Sequence, residues 1–325
     1  MKTPISLIID DPAPVISVYH EHAGTSVTKD GRPLIPTYPN ALLHQFCEIV
    51  KEQGLKGKFS VIPMPGNKGD ILRGLEGADP KDVKEWLDTV KENIVGPFTV
   101  GPEMLTHHKA VDLETGEALP MNEQEYAAMQ DRSVLTPYIA KALSLLREAG
   151  FSPIGVTSPW QFGIEVEEEY QASISKAVEE VTGEKNAWFF LRSRRNVPNA
   201  RPWVALQEEG RTLVSIPSTT TDHFWQTIDC PRTDDAYVAA IADELITEDG
   251  KSGEIIRVLE TGGWPILITH WQSLMSNGLG TGLRALNEVG RRIQEHLSGQ
   301  VEWMNFEEIL HLVLKAPENF PRPKF

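Results

Sequence analysis

The chain has 325 residues, of which 40% are hydrophobic and 24% charged, an ordinary globular balance that can fill a sizeable core. Its formal net charge of −15 argues against a nucleic-acid or anionic-membrane partner, since such binding relies on clustered Lys and Arg. No apolar stretch approaches the roughly twenty residues of a membrane helix, and the short run before the first aspartates is too brief for a signal peptide, so a cytoplasmic location is expected.

Apolar runs of strand length alternate with longer segments of helical period, the βαβα signature of a parallel sheet or barrel. The first strand covers residues 5–9 and ends on Asp10-Asp11-Pro12. Residues 21–39, rich in Gly, Pro, Thr and Asp, are expected to form an inserted loop or hairpin. The spacing predicts a helix over Asn40–Gln53, with Ala41, Leu42, Phe46, Ile49 and Val50 on its apolar side, stopped by Gly54 and Gly57. Cys47 falls inside that pattern, where a buried free thiol is common; with Cys230 as the second cysteine and no CxxC pair, a finger-type zinc site is not expected. A second strand follows at 58–62. Then comes a helix over Pro80–Asn93, with Asp79 as N-cap and Pro80 at the first helical position.

Residues 98–100 read as a short strand broken by Gly101-Pro102, and one long helical pattern spans 122–149. Strands are predicted at 153–157, 187–191, 203–206, 213–216 and 265–269, the last leading straight to His270. A helix at 282–296 and a strand at 301–304 close the chain. There is no internal repeat, low-complexity tract or linker-like break, so residues 1–325 are expected to form one domain.

Polar, metal-capable residues recur where strands end: Asp10 and Asp11, His107, residues 158–160, and His270. In α/β barrels those ends converge on one mouth. A single Asp-Pro turn or lone histidine has a bland structural explanation; the recurrence is what points to catalysis. Phosphate loops and nucleophile elbows are absent from the sequence, and the run Gly278-Leu279-Gly280-Thr281-Gly282 lacks the strand and acidic partner of a dinucleotide site.

Taken in order, these segments resemble the motifs of the polysaccharide deacetylase family. Ile8-Ile9-Asp10-Asp11 is similar to its opening strand with paired aspartates, and residues 101–107 keep the length, first Gly, Thr and final His of its second motif, with Glu103 in place of the first His. Thr157-Ser158-Pro159-Trp160 retains the Pro and aromatic residue of the third motif but not its Arg, for which Arg192, Arg194 and Arg195 are candidate replacements. Residues 221–225 match the fourth motif loosely, and residues 266–270 match the strand that ends in the acid histidine. The resemblance covers nearly the whole chain.

The resemblance implies an irregular seven-stranded (β/α) barrel. It implies a metal-dependent hydrolase of an amide or N-acetyl C–N bond outside peptides, acting on a carbohydrate or small-molecule substrate, with a homo-oligomer compatible with the sequence. One divalent ion is expected on Asp11, Glu103 and His107, with Asp10 as base and His270 as acid. Zinc ranks first, and manganese, iron or magnesium also suit two carboxylates and an imidazole. Alternatively His22, His20 or His108 supplies a nitrogen in place of Glu103. His22, Trp160, His223 and Trp225 are expected to line the substrate pocket. Two rival readings are a carbohydrate-binding barrel without catalysis and a two-carboxylate glycoside hydrolase using Asp10 and Glu103.

Overall fold

Strand β1 (Thr3–Asp10) buries Ile5, Leu7, Ile8 and Ile9 completely, as expected of a strand covered on both faces. In the computed structural model, which describes residues 2–323, it leads through a short helix α1 (Val18–His22) to α2 (Asn40–Gln53) and β2 (Gly57–Val61). Gly54 ends α2 with φ of 62°, a left-handed turn that glycine adopts freely. A small hairpin, β3 (Gly69–Asp70) and β4 (Gly74–Leu75), precedes α3 (Pro80–Asn93), where the Asp79 side chain accepts the Lys81 N–H as N-cap.

Next come β5 (Phe98–Pro102) and a hairpin of β6 (Lys109–Val111) and β7 (Ala118–Asn122). The long helix expected over 122–149 is two helices, α4 (Glu123–Ala127) and α5 (Arg132–Glu148). The interruption is local chemistry: Asn122 caps α4 with a reciprocal Glu125 bond, and Asp131 caps α5 anew. Strand β8 (Gly155–Thr157), α6 (Glu167–Thr182), β9 (Asn186–Phe190), β10 (Trp203–Glu208) and β11 (Arg211–Ser215) follow. The chain continues through α7 (Asp235–Leu245), α8 (Glu254–Glu260), β12 (Ile266–His270), α9 (Trp271–Met275), α10 (Thr281–Leu297), β13 (Val301–Trp303) and α11 (Phe306–Leu314).

Two sheets carry the architecture. Strands β12, β1, β2 and β5 lie parallel in that order, with β13 pairing the beginning of β1. Strands β11, β9 and β8 form a second parallel set, edged by the antiparallel β10. The sheets meet at a single parallel bridge between Glu103 and Thr157, and again where the Thr219 N–H donates to the Ile266 carbonyl at 2.9 Å. The result is a mixed α/β fold with helices packed on parallel sheets; continuous strand pairing around a closed ring is not found among the described residues. Helix α10 buries Leu283, Leu286, Val289, Ile293 and Leu297, the three-to-four spacing of an amphipathic helix.

Residues 23–39 are irregular rather than a regular hairpin, with isolated bridges Ile16–Thr37 and Val27–Pro33. They are stitched to the later chain: Arg32 donates to the Ile228 carbonyl at 2.8 Å, and Asn277 accepts the Ile35 N–H at 2.9 Å. No helix among the described residues is long and apolar enough to cross a membrane.

Candidate active site

The parallel strands deliver the candidate residues to one end of the sheets, the position where α/β folds bind ligands. Asp10 and His270 are direct partners in the β1–β12 register, so the two side chains sit side by side at the ends of neighbouring strands. Glu103 follows β5, and Gly101 just before it lies where side chains cannot: a Cβ there would stand 2.7 Å from the Gly155 carbonyl and 2.8 Å from the Trp188 ring. A cavity of about 260 Å³ opens at this end, lined among others by Asp10, Asp11, His22, Glu103, His107, Trp160, Trp225 and His270.

Left-handed backbone occurs at three residues that line this cavity and at Met104, next to Glu103. Asp11, Met104, His107 and Trp160 have φ of 67°, 40°, 51° and 49°, in the left-handed region that non-glycine residues rarely occupy. The 104–107 turn is held by Glu123, a fully buried carboxylate that accepts the N–H groups of Leu105, Thr106 and His107 at 3.1, 3.0 and 2.8 Å. Tyr138 adds its hydroxyl to the same carboxylate at 2.7 Å. Burial is the main reason the Glu123 carboxyl lies above its ordinary range.

Asp11, His22 and His107 form a cluster whose ligand-capable atoms lie within 4.8 Å of one another. The ring of His22 stacks on that of His107 at 4.6 Å, and Trp160 packs against both at 5.4 and 4.5 Å. His107 Nε2 lies 3.0 Å from Asp11 Oδ1, yet the oxygen has no aligned hydrogen-bond donor among the described residues; the same is true of buried His22 Nε2. Unpartnered buried polar atoms are uncommon. Gathered with a carboxylate oxygen and two imidazoles, they fit the ligand set of a divalent ion. Gln272 donates to the other Asp11 oxygen and fixes the carboxylate's orientation.

Electrostatics follow the same division. Burial pushes the Asp11 carboxyl up, but the charge and close approach of His107 and the charges of His270 and His22 outweigh it, leaving it well below the carboxylate range. Burial, then the positive charge of His107, drives His22 down to about 3, which keeps its imidazole neutral and able to bind a cation. Burial pulls His107 down, and the charge of Asp11 more than offsets it, so this imidazole is raised.

Glu103 behaves differently. Burial and the charges of Asp10 and Asp11 push its carboxyl well above the usual range. Its Oε2 accepts the Asp11 N–H at 2.7 Å, and its Oε1 stands 3.6 Å from His107 Nε2. It therefore borders the cluster without being part of it.

On the other side of the cavity, His270 Nδ1 donates to Asp222 Oδ2 at 2.8 Å, and Ser273 donates to the same oxygen at 2.7 Å. Burial lowers His270, but the Asp222 hydrogen bond and the charges of Asp11, Asp222 and Asp10 push it up to about 9. Trp225 packs edge-on against this ring at 5.0 Å. Asp10, in turn, pairs through Oδ1 with the ammonium of Lys58.

Other candidates lie elsewhere. His223 Nε2 is 3.2 Å from Glu254 Oε2 and does not line the cavity; His20 faces Glu21 and His108 faces Asn67. Arg192 pairs with Glu167, so the cation beside Asp10 is Lys58 rather than an arginine of the 192–195 run. Sequence reasoning gave no role to Lys58, Glu123, Gln272 or Asp222. A lysine inside an apolar strand was a visible signal for the first, and Asp222 stood within the loosely matched fourth motif; Glu123 had none.

Neither a protein-family model nor a curated protein matches the sequence. In structure the chain is similar to one assigned as a polysaccharide deacetylase from Mycobacterium smegmatis, with a TM-score of 0.54 and 13% identity over 100% of this chain and 94% of that one. It is also similar to one assigned as a glycoside hydrolase/deacetylase from Parabacteroides distasonis, with a TM-score of 0.51 and 12% identity over 97% and 72% of the two chains. At these identities the likeness is one of fold. The chain thus shares the fold of these two structures, at 12–13% sequence identity.

Proposed function

We propose that the chain is a metal-dependent hydrolase of a non-peptide C–N bond, removing an acyl group such as acetyl from a carbohydrate or small amide. The observation that carries this reading is the pairing of Asp10 and His270 across β1 and β12, beside the Asp11–His22–His107 cluster and on one cavity. We read that cluster, rather than the set with Glu103, as the ligands of one divalent ion, zinc first. The finer reading of the fold as an irregular seven-stranded barrel of one domain is supported by the two seams between the sheets.

A divalent ion in such a site supplies Lewis acidity toward a water and a carbonyl. Asp10 accepts the proton of the attacking water, and His270, held by Asp222, donates one to the departing nitrogen. The raised His270 is protonated at neutral pH, as an acid must be. Trp160 and Trp225 offer aromatic faces to a ring-shaped substrate.

Elemental analysis should find about one metal per chain, as a three-ligand catalytic site implies. Asp11→Ala and His22→Ala should lose it, and Glu103→Gln should keep it. Hydrolysis of a panel of N-acetylated sugars and small amides should stop on chelation. Full metal occupancy in Asp11→Ala sinks the assignment. Hydrolysis of glycosides that persists under chelation would instead support the two-carboxylate reading, in which Glu103, with its raised pKa, acts as the acid.

A further inference from the structure

Lys58 is the second residue of β2, and its side chain is entirely buried. An ammonium taken from water is tolerated only when its hydrogens find acceptors. Here three do: Asp10 Oδ1, Ser60 Oγ, and Thr157 Oγ1 at 2.7 Å. They come from three different strands, β1, β2 and β8. Beneath the ammonium lies the Phe190 ring, 4.9 Å from Nζ. The acceptors also hold one another, since Ser60 Oγ is 2.9 Å from Thr157 Oγ1 and 3.4 Å from Asp10 Oδ1.

Core filling alone does not account for this arrangement. A buried ion pair is often no more stabilising than apolar residues of the same volume. What the arrangement does achieve is geometric. Asp10 Oδ1 is tied by Lys58 and Ser60, and Oδ2 is left without a protein donor among the described residues, on a side chain that lines the cavity.

We propose that Lys58 is the positioning residue of Asp10: it fixes one carboxylate oxygen so that the other is presented to the reacting water. The inference rests on the reading of Asp10 as the base. It concerns where the carboxylate sits. Because Lys58 does not line the cavity, it touches neither substrate nor ligand cluster.

The test uses the full chain loaded with zinc and an N-acetylated substrate that the wild type hydrolyses. Lys58→Met should lower kcat by about 10²-fold or more, comparable to losing an acid–base group, with KM little changed and zinc content intact. Lys58→Arg, which keeps a charged donor, should recover much of the loss. The double variant Lys58→Met/Asp10→Asn should be no slower than Asp10→Asn, because residues acting as a unit are non-additive. A folded Lys58→Met chain with near-wild-type kcat, alongside an inactive Asp10→Asn chain, overturns the Lys58 assignment and leaves Asp10 as the base. If Asp10→Asn itself stays active, the underlying reading fails and this inference falls with it. Should Lys58→Met not fold, Thr157→Val decides, since it frees one ammonium hydrogen and keeps the charge. A drop of about fivefold or more in kcat at unchanged KM supports positioning, whereas a lower melting temperature with unchanged kcat ends it.

Discussion

Replacing Asp222 by Asn tests the proposed acid, His270, through its closest partner. One oxygen of Asp222, Oδ2, accepts from His270 Nδ1 at 2.8 Å, from the His270 N–H at 3.2 Å and from Ser273 Oγ at 2.7 Å. Asn keeps the shape and removes the charge. Burial lowers His270 while the Asp222 hydrogen bond and the charges of Asp11, Asp222 and Asp10 carry it up to about 9. In the variant the Asp222 charge vanishes, its hydrogen bond becomes a weaker neutral one to an amide oxygen, and the Asp11 and Asp10 charges remain. A fall of about one to two units is expected, the size of one close opposite charge.

The sign of the stability effect follows from the direction of the shift. His270 has a folded pKa above its unfolded value of roughly 6.5. Its contribution is therefore fully present below that value and lost as pH rises through about 9. The full shift corresponds to on the order of 3 kcal/mol, reduced because 28% of the His270 side chain is exposed to screening solvent. Asp222→Asn should melt below the wild type near pH 6, with the gap narrowing toward pH 10. The basic limb of kcat/KM, which reports loss of the protonated acid, should move to lower pH by the same one to two units, roughly. A limb that does not move, together with a melting difference independent of pH, would refute the dyad.

Glu123→Ala should lower stability by about 3–5 kcal/mol in denaturant titrations, because it strands three backbone N–H groups and a tyrosine hydroxyl in the core. Zinc affinity should fall with it, since the turn that places His107 loses its anchor; unchanged affinity in a folded variant would contradict the anchoring role. Zinc binding should release protons, because the charge of Asp11 raises His107 and the proton competes for the same imidazole. Affinity should weaken as pH drops through that raised value. Calorimetry in two buffers of different protonation heat measures the release, and identical heats in both would count against it.

Much of this fold is legible in the sequence because its elements obey local rules. The Asp79-Pro80 cap gave the start of α3 to the residue, and the apolar run 5–9 marked β1 by two-sided burial. The helix pattern over 122–149 misled because apolar periodicity continues across two caps, which side-chain hydrogen bonding decides. Asp10, Asp11, His107 and His270, singled out in the sequence as chemically capable residues where strands end, do come together on one cavity. The candidate site was unreadable where the contribution is a partnership at long range. Lys58 lies 48 residues from Asp10, and Gln272 lies 261 from Asp11. The choice between Glu103 and His22 likewise depends on how residues 18–22 fold back over the mouth, which no spacing encodes.

The pairing of Asp10 with His270 has a consequence for engineering. Their separation is dictated by a backbone ladder between two parallel strands, whose spacing is roughly 4.8 Å in any protein, and not by the surrounding turns. Segments outside the ladder that contribute nothing to the cavity lining, such as residues 23–39, could then be exchanged while Asp10 and His270 keep their spacing. The converse holds for the ladder: an insertion of a single residue within β1 or β12 would turn one of the two side chains to the opposite face, and no redesign of the loops could bring it back.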